Sequence, residues 1–219
     1  MIKLIFLSLF LFISFNLLPQ TSDYGINTDT VKAQRFDMGR MWTFENPPTD
    51  YFEKEYNFNP TPGWLDTLQK AALKFGNGCT ASFESADGLI MTNHHCVRGL
   101  LPDIKKEDED LLKNGFYAET LEDERKIPGL VVDQLLIIKD VTDEIRTAME
   151  SVESDSAKIS QRDEKISEIT ETFTKQNPEL FFKVVSLYEG GKFSLYGYKR
   201  YFDIRLVFVP ELWVAKLGG

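Results

Sequence analysis

The segment from Cys79 to Cys96 contains both cysteines and both histidines of the chain. Within it, two runs of mixed apolar and polar residues flank the dipeptide Asp87-Gly88. Asp-Gly between such runs predicts a β-hairpin, because glycine adopts the positive φ that a tight turn requires. A bond between the two cysteines would clamp the strand ends and hold His95, which directly precedes Cys96, in place. This segment is therefore the first candidate for a functional site.

The N-terminus predicts export. Residues 1–3 carry one lysine, and residues 4–15 are apolar except for two serines, before polar residues begin near Pro19. An apolar run of this length is too short to cross a bilayer comfortably and is typical of a secretory signal peptide, which we place at residues 1–20. The sequence has no clear small-x-small cleavage site, so an uncleaved anchor is the alternative. We expect an exported protein with no other membrane association.

The charge of the chain argues against one class of partner, and its cysteine content favours a disulfide. The 219 residues carry a net charge of −9 without a basic cluster, which argues against a nucleic-acid partner. Export and an even number of cysteines favour a disulfide between Cys79 and Cys96. Closing that loop would stabilise the fold by roughly 3 kcal/mol on the chain-entropy model.

The periodicity of apolar residues predicts a mainly β fold with helices, of the α+β class. We expect helices over residues 62–75 and 141–176, the second with a break near 154–156, and strands over 129–138, 181–188 and 192–198. Residues 201–209 predict a further strand. The prolines of Asn46-Pro47-Pro48 favour extended chain around that point.

Two kinds of chemistry compete at His94-His95-Cys96. A metal site is disfavoured, because adjacent side chains on a strand point to opposite faces and the chain has no third histidine. A histidine fixed at a strand end could act as the general base of a hydroxyl nucleophile. A buried or capping histidine in a clamped hairpin fits the spacing equally well, so the residues alone leave both interpretations open.

Three motifs in this segment resemble one family of bacterial peptidases. They are residues 78–83 (GCTASF), 85–90 (SADGLI) and 92–96 (TNHHC). Together they resemble the signature of the dipeptidyl-peptidases 7 and 11. Further similar segments extend the resemblance over most of the chain after residue 20: Met41-Trp42 and residues 114–116, 137–141, 177–178, 188–191 and 201–207.

The resemblance implies a function and a set of site residues. The family consists of periplasmic or cell-surface serine peptidases with a chymotrypsin-like double β-barrel and an inserted helical domain. They release dipeptides from the free N-terminus of peptides by acyl transfer through a serine, and the full-length enzymes form homodimers. For this chain we expect no cofactor and no metal. By position, His95 matches the catalytic histidine, and Cys79 and Cys96 match the disulfide around it. His94 matches a neighbour to which we assign no catalytic role.

The family's chains are much longer than this one. The catalytic aspartate and serine of the family match positions beyond Gly219, and Asp203 matches a different family position, which we expect inside a strand. We therefore expect residues 21–219 to form the N-terminal part of the double barrel, truncated before the second barrel and the helical domain and inactive alone. The alternative is a secreted, non-catalytic β-rich binding module or pseudo-peptidase.

Overall fold

A six-stranded antiparallel sheet dominates the protein in a computed structural model that describes residues 42–217. Its strands are β1 Ala72–Phe75, β2 Cys79–Phe83, β3 Ile90–Thr92, β6 Val132–Asp140, β7 Leu180–Leu187 and β8 Lys192–Tyr201. Along the sheet they follow the order β3-β2-β1-β6-β8-β7. The predicted α+β class is confirmed. The predicted signal peptide lies outside the described residues.

Short strands form two additional two-stranded sheets. In one, β4 (Phe116–Tyr117) pairs with β10 (Phe208–Val209), and in the other β5 (Arg125–Lys126) pairs with β9 (Arg205–Leu206). The predicted single strand over 201–209 is therefore divided, because β9 and β10 pair with different partners.

Helices connect the strands. Their bounds are α1 Thr49–Tyr56, α2 Pro62–Ala71, α3 His94–Arg98, α4 Leu101–Ile104, α5 Leu111–Asn114, α6 Thr142–Glu150, α7 Asp155–Gln176 and α8 Leu212–Leu217. The predicted break in the long helical region is confirmed between α6 and α7, where the Ser154 hydroxyl accepts a hydrogen bond from the Ala157 amide. Within residues 42–217, no helix combines the length and the apolar character needed to span a membrane.

Two hydrophobic cores lie along the sheet. One contains β1 and extends to α3 and α4, with Leu73, Phe75, Val97 and Leu101 among its buried members. The other packs α6 and α7 against β7 and β8, with Ile145 and Leu195 fully buried. The site candidate lies beside the first core, because Cys79 and Cys96 pack against it.

The prediction of a helix through residue 75 is wrong. The helix begins as expected, with the Thr61 side chain accepting a hydrogen bond from the Trp64 amide, but it ends at Ala71. Residues 72–75 instead form β1, which pairs with β2 on one side and β6 on the other. Leu73 and Phe75 alternate into the core at 3% and 4% exposure. Their burial and two-sided pairing outweigh the local helical spacing.

Candidate active site

The predicted hairpin is present and holds the site. Strands β2 and β3 pair antiparallel, with Ala81 opposite Thr92 and Phe83 opposite Ile90. The turn closes through a 2.8 Å hydrogen bond from the Glu84 amide to the Leu89 carbonyl. Gly88 adopts φ +90°, which explains why the sequence needs glycine there. The hairpin is therefore fixed by backbone pairing up to the residue before Asn93.

A disulfide joins Cys79, the first residue of β2, to Cys96 in helix α3, with a Cα–Cα distance of 6.0 Å. A second link lies close by, because the Thr92 hydroxyl donates a 2.7 Å hydrogen bond to the Thr80 carbonyl. The start of α3 is thus tied to β2 both covalently and through the hairpin. The buried Val97, 8% exposed, anchors the same helix in the core.

His95 lies in α3, directly after β3, and its side chain is exposed. We expected the two histidines at a strand end; they occupy a short helix instead, because the chain turns at Asn93 once its pairing with β2 ends. An imidazole nitrogen of His95 and the sulfurs of Cys79 and Cys96 lie within 4.8 Å of one another. Within residues 42–217, no hydrogen bond involves the side chain of His95. The imidazole is therefore accessible and faces the disulfide.

His94 has a different environment from His95. Its side chain is half-buried, and its Nε2 atom is buried without a hydrogen-bond partner among the described residues. Burial, followed by the charges of Arg98 and His95, holds the pKa of the His94 imidazole below its ordinary value. His94 is therefore packed into its surroundings, whereas the side chain of His95 is accessible to solvent.

The grouping of Cys79, His95 and Cys96 does not make a metal site in the oxidised protein. Thiolate sulfur is the zinc ligand that cysteine provides, and both sulfurs are consumed by the disulfide. The two histidines are not separated by strand geometry as we expected, because both belong to α3.

Asp203 lies in the loop between β8 and β9, so the expectation that it lies inside a strand is wrong. Its carboxylate accepts hydrogen bonds of 3.2 and 2.9 Å from the Arg205 guanidinium and lies 3.6 Å from Lys126 Nζ. The hydrogen bond from Arg205 is the main reason why the pKa of Asp203 is lowered. The carboxylate is engaged by these two cations.

A second polar cluster, which the sequence did not predict, surrounds Glu45. The fully buried Ser194 donates its hydroxyl to both oxygens of the Glu45 carboxylate at 3.1 and 3.0 Å. Lys192 Nζ lies 3.1 Å from the same carboxylate, and burial with the nearby Glu45 charge raises the pKa of Tyr196 to about 12. Glu45 and Ser194 are 149 positions apart, so no local pattern could have joined them.

Comparison with known families places the chain among peptidases. Residues 36–219 match the family model of Peptidase S46. Dipeptidyl-peptidase 7 of Porphyromonas endodontalis is 33% identical over 186 residues, which is 82% of this chain and 23% of that protein. The Asp/Glu-specific dipeptidyl-peptidase of Flavobacterium psychrophilum is 34% identical over 153 residues, covering 70% of this chain and 21% of the relative. The chain thus spans less than a quarter of the length of these curated relatives.

Solved structures show the same similarity. Porphyromonas endodontalis DPP11 in complex with the dipeptide Arg-Glu matches with a TM-score of 0.63 and 24% identity over 78% of this chain and 27% of that one. The same protein in complex with substrate matches with a TM-score of 0.56 and 27% identity over 71% of this chain and 23% of that one. The fold of the described residues is therefore that of part of a larger structure.

Proposed function

The chain belongs to the peptidase S46 family, and from that membership we propose that it is part of an exported serine-type dipeptidyl-peptidase. In this proposal the protein releases dipeptides from the free N-terminus of peptides, with His95 as the general base. The proposal draws on relatives that are dipeptidyl-peptidases by name and on a solved neighbour that holds a dipeptide. Export to the periplasm or the cell surface is part of the same proposal, and the apolar N-terminus supports the export step.

The observation that carries the assignment of His95 is its combination of fixed backbone and free side chain. The disulfide, the hairpin and the buried Val97 restrain α3, whereas the imidazole is exposed and has no hydrogen-bond partner within residues 42–217. A general base must be positioned within hydrogen-bond reach of its nucleophile, and a rigid support reduces the cost of that positioning. His94 lacks this freedom because its Nε2 is buried.

The proposed reaction is acyl transfer to a serine. His95 would take the serine proton as the hydroxyl attacks the peptide carbonyl, and would then protonate the leaving amine. Water would hydrolyse the acyl-enzyme with the same histidine as base. We propose that a serine and an orienting aspartate outside residues 42–217 complete the triad, since Asp203 is held by Arg205 and Lys126.

A hybrid enzyme tests this proposal. Residues 43–217 would replace the matching segment of the Porphyromonas endodontalis dipeptidyl-peptidase 7, and release of a fluorophore from dipeptidyl substrates would be measured. We expect an active hybrid that loses at least about a thousandfold in kcat on His95→Ala, because the general base acts as a unit with the nucleophile. His94→Ala in the same hybrid is the matched control and should retain catalysis.

The proposal fails if a folded hybrid with His95→Ala remains as active as the hybrid without that change. Size-exclusion chromatography and thermal unfolding of each hybrid establish that it is folded. The unmodified relative confirms that the assay works. The isolated 219-residue chain should show no peptidase activity. If that chain cleaves dipeptidyl substrates and His95→Ala abolishes the cleavage, the proposal that the serine and the aspartate lie outside residues 42–217 is contradicted.

One observation favours the second candidate, a non-catalytic binding module. Tyr117 and Phe208 pair across β4 and β10 yet remain 67% and 63% exposed, and Trp213 is 74% exposed. Large exposed aromatic side chains are common at interaction surfaces. If His95→Ala has no effect in the active hybrid while Phe208→Ser weakens binding of peptides to the isolated chain, the binding module is the better description.

A further inference from the structure

The disulfide and His95 bring three potential metal ligands together. One ligand atom each from Cys79, His95 and Cys96 lies within 4.8 Å of the others. We propose that reduction of the Cys79–Cys96 disulfide converts this group into a binding site for a zinc-like divalent cation. Two thiolates and the His95 imidazole would hold the ion, and water would complete a tetrahedral shell.

Backbone pairing and packing, besides the disulfide, keep Cys79 and Cys96 close together. Cys79 is held by the pairing of β1 with β2, in which it lies opposite Phe75. Cys96 is held by α3, whose Val97 is buried and whose preceding strand pairs with β2. The hydrogen bond from the Thr92 hydroxyl to the Thr80 carbonyl joins the two sides at 2.7 Å. The cysteines should therefore stay close after their bond is broken.

The distances suit a tetrahedral ion. Zinc–sulfur bonds of about 2.3 Å in a tetrahedral shell place two sulfurs about 3.8 Å apart. Two cysteines with a Cα–Cα distance of 6.0 Å can reach that sulfur–sulfur separation through side-chain rotation. The zinc–nitrogen distance of about 2.1 Å is reached from an imidazole that is already within 4.8 Å of both sulfurs.

A phosphine can supply the two electrons that reduction of the Cys79–Cys96 disulfide requires. The phosphine and one water molecule reduce the disulfide to two thiols, and the phosphine becomes its oxide. A divalent cation then displaces two protons, one from each thiol, and binds the neutral His95 imidazole. Sulfur and nitrogen ligands select zinc-like ions over calcium or magnesium, which prefer oxygen.

The participation of His95 follows from its exposure. Within residues 42–217 its side chain makes no hydrogen bond, so metal binding does not have to break one there. His94 is in the same helix, but its Nε2 is buried, and it is absent from the group of converging ligand atoms. Metal binding at this site does not depend on the proposed peptidase function.

Cobalt(II) is a suitable probe because thiolate ligation gives a sulfur-to-metal charge-transfer band. The full chain would be reduced with a phosphine under nitrogen and titrated with cobalt, and zinc would then be added to displace it. We expect the band in the reduced protein at one cobalt per chain and none in the oxidised protein. His95→Ala should weaken cobalt binding by at least about tenfold, since it removes one of three protein ligands. His94→Ala is the matched control and should leave the affinity unchanged.

Any one of three results overturns the proposal. The first is a reduced protein that has the circular dichroism spectrum of the oxidised form but gives no charge-transfer band. The second is a band with the same affinity in wild type and His95→Ala, which would remove the imidazole from the site. The third is loss of the native spectrum on reduction, because the folded hairpin has to hold the two thiols together. A Cys79→Ser variant, which should also lose the band, shows that the signal arises from this pair.

Discussion

Phe182 lies opposite Gly197 in the pairing of β7 with β8, and its ring occupies the space that a side chain at position 197 would need. A Cβ atom at Gly197 would lie 2.6 Å from Phe182 Cε1 and 3.0 Å from Ile137 Cβ. Phe182 is itself buried, at 3% exposure, between the sheet and α7, where its ring contacts Phe173. Glycine at 197 is therefore required by the packing of the second core.

Gly197→Ala should destabilise the protein by about 1–3 kcal/mol, because the methyl group overpacks this core. The free energy of unfolding is measured by urea denaturation. Gly63→Ala is the control, since nothing lies within 4 Å of a Cβ at that helical position, and it should be neutral or slightly stabilising. Equal stability of Gly197→Ala and wild type would show that Phe182 can move away.

Arg200→Met should lower the free energy of unfolding by about 3 kcal/mol. Asp133, 4% exposed, accepts hydrogen bonds of 2.9 and 3.3 Å from the Arg200 guanidinium, which also lies 3.6 Å from the Phe181 ring centroid. Removing the arginine leaves a buried carboxylate without its cation. The control is Arg162→Met, which breaks the exposed pair with Asp163 and should cost less than about 1 kcal/mol. Similar losses in the two variants would contradict this difference.

Glu109→Gln should reduce the acid sensitivity of the fold. Hydrogen bonds from the Arg125 guanidinium and then from the Lys106 amide lower the pKa of Glu109 from 4.5 to about 2. Because the folded-state pKa is depressed, the stabilisation is present above pH 4.5 and is lost as the pH falls toward 2. The free energy of unfolding, measured by urea denaturation across this range, should change less with pH in Glu109→Gln than in wild type. Glu119→Gln, which removes an exposed carboxylate, is the matched control.

His94→Gln should remove a different pH dependence. Burial lowers the pKa of His94 below 6.5, so the unfolded chain takes up the proton first as the pH falls. The contribution of His94 to the free energy of unfolding is therefore greatest above pH 6.5 and declines as the pH falls below it. Denaturation midpoints at several pH values on both sides of this point measure the effect. His95→Gln, which changes an exposed side chain, is the control, and a wild-type slope in His94→Gln would contradict the prediction.

Local sequence signals predicted the hairpin well. Asp87-Gly88 specifies its turn through a glycine conformation, and the β-rich runs on either side of residues 189–191 predict a pair of strands. Such features depend on neighbours in the sequence, so they can be predicted without knowing the fold. The association of His95 with Cys79 and Cys96 came from the motif in the same way.

Features that depend on distant residues could not be predicted. Residues 72–75 continue the helical spacing of α2, but β2 and β6 recruit them into the sheet. Pro47 and Pro48 suggested extended chain, yet α1 begins at Thr49, since proline restricts the residue before it and can precede a helix. The contact of Glu45 with Ser194 likewise requires the folded sheet.

The disulfide also changes what a single cut in the backbone could do. Residues 84–89, at the tip of the hairpin, are all exposed and lie between Cys79 and Cys96. A protease that cleaves this tip would leave two polypeptides joined by the disulfide. They would migrate as one species in a denaturing gel until a reductant separates them. His95 would remain attached to β2 through Cys96 in the nicked molecule, so chain integrity and the placement of its imidazole can be separated experimentally.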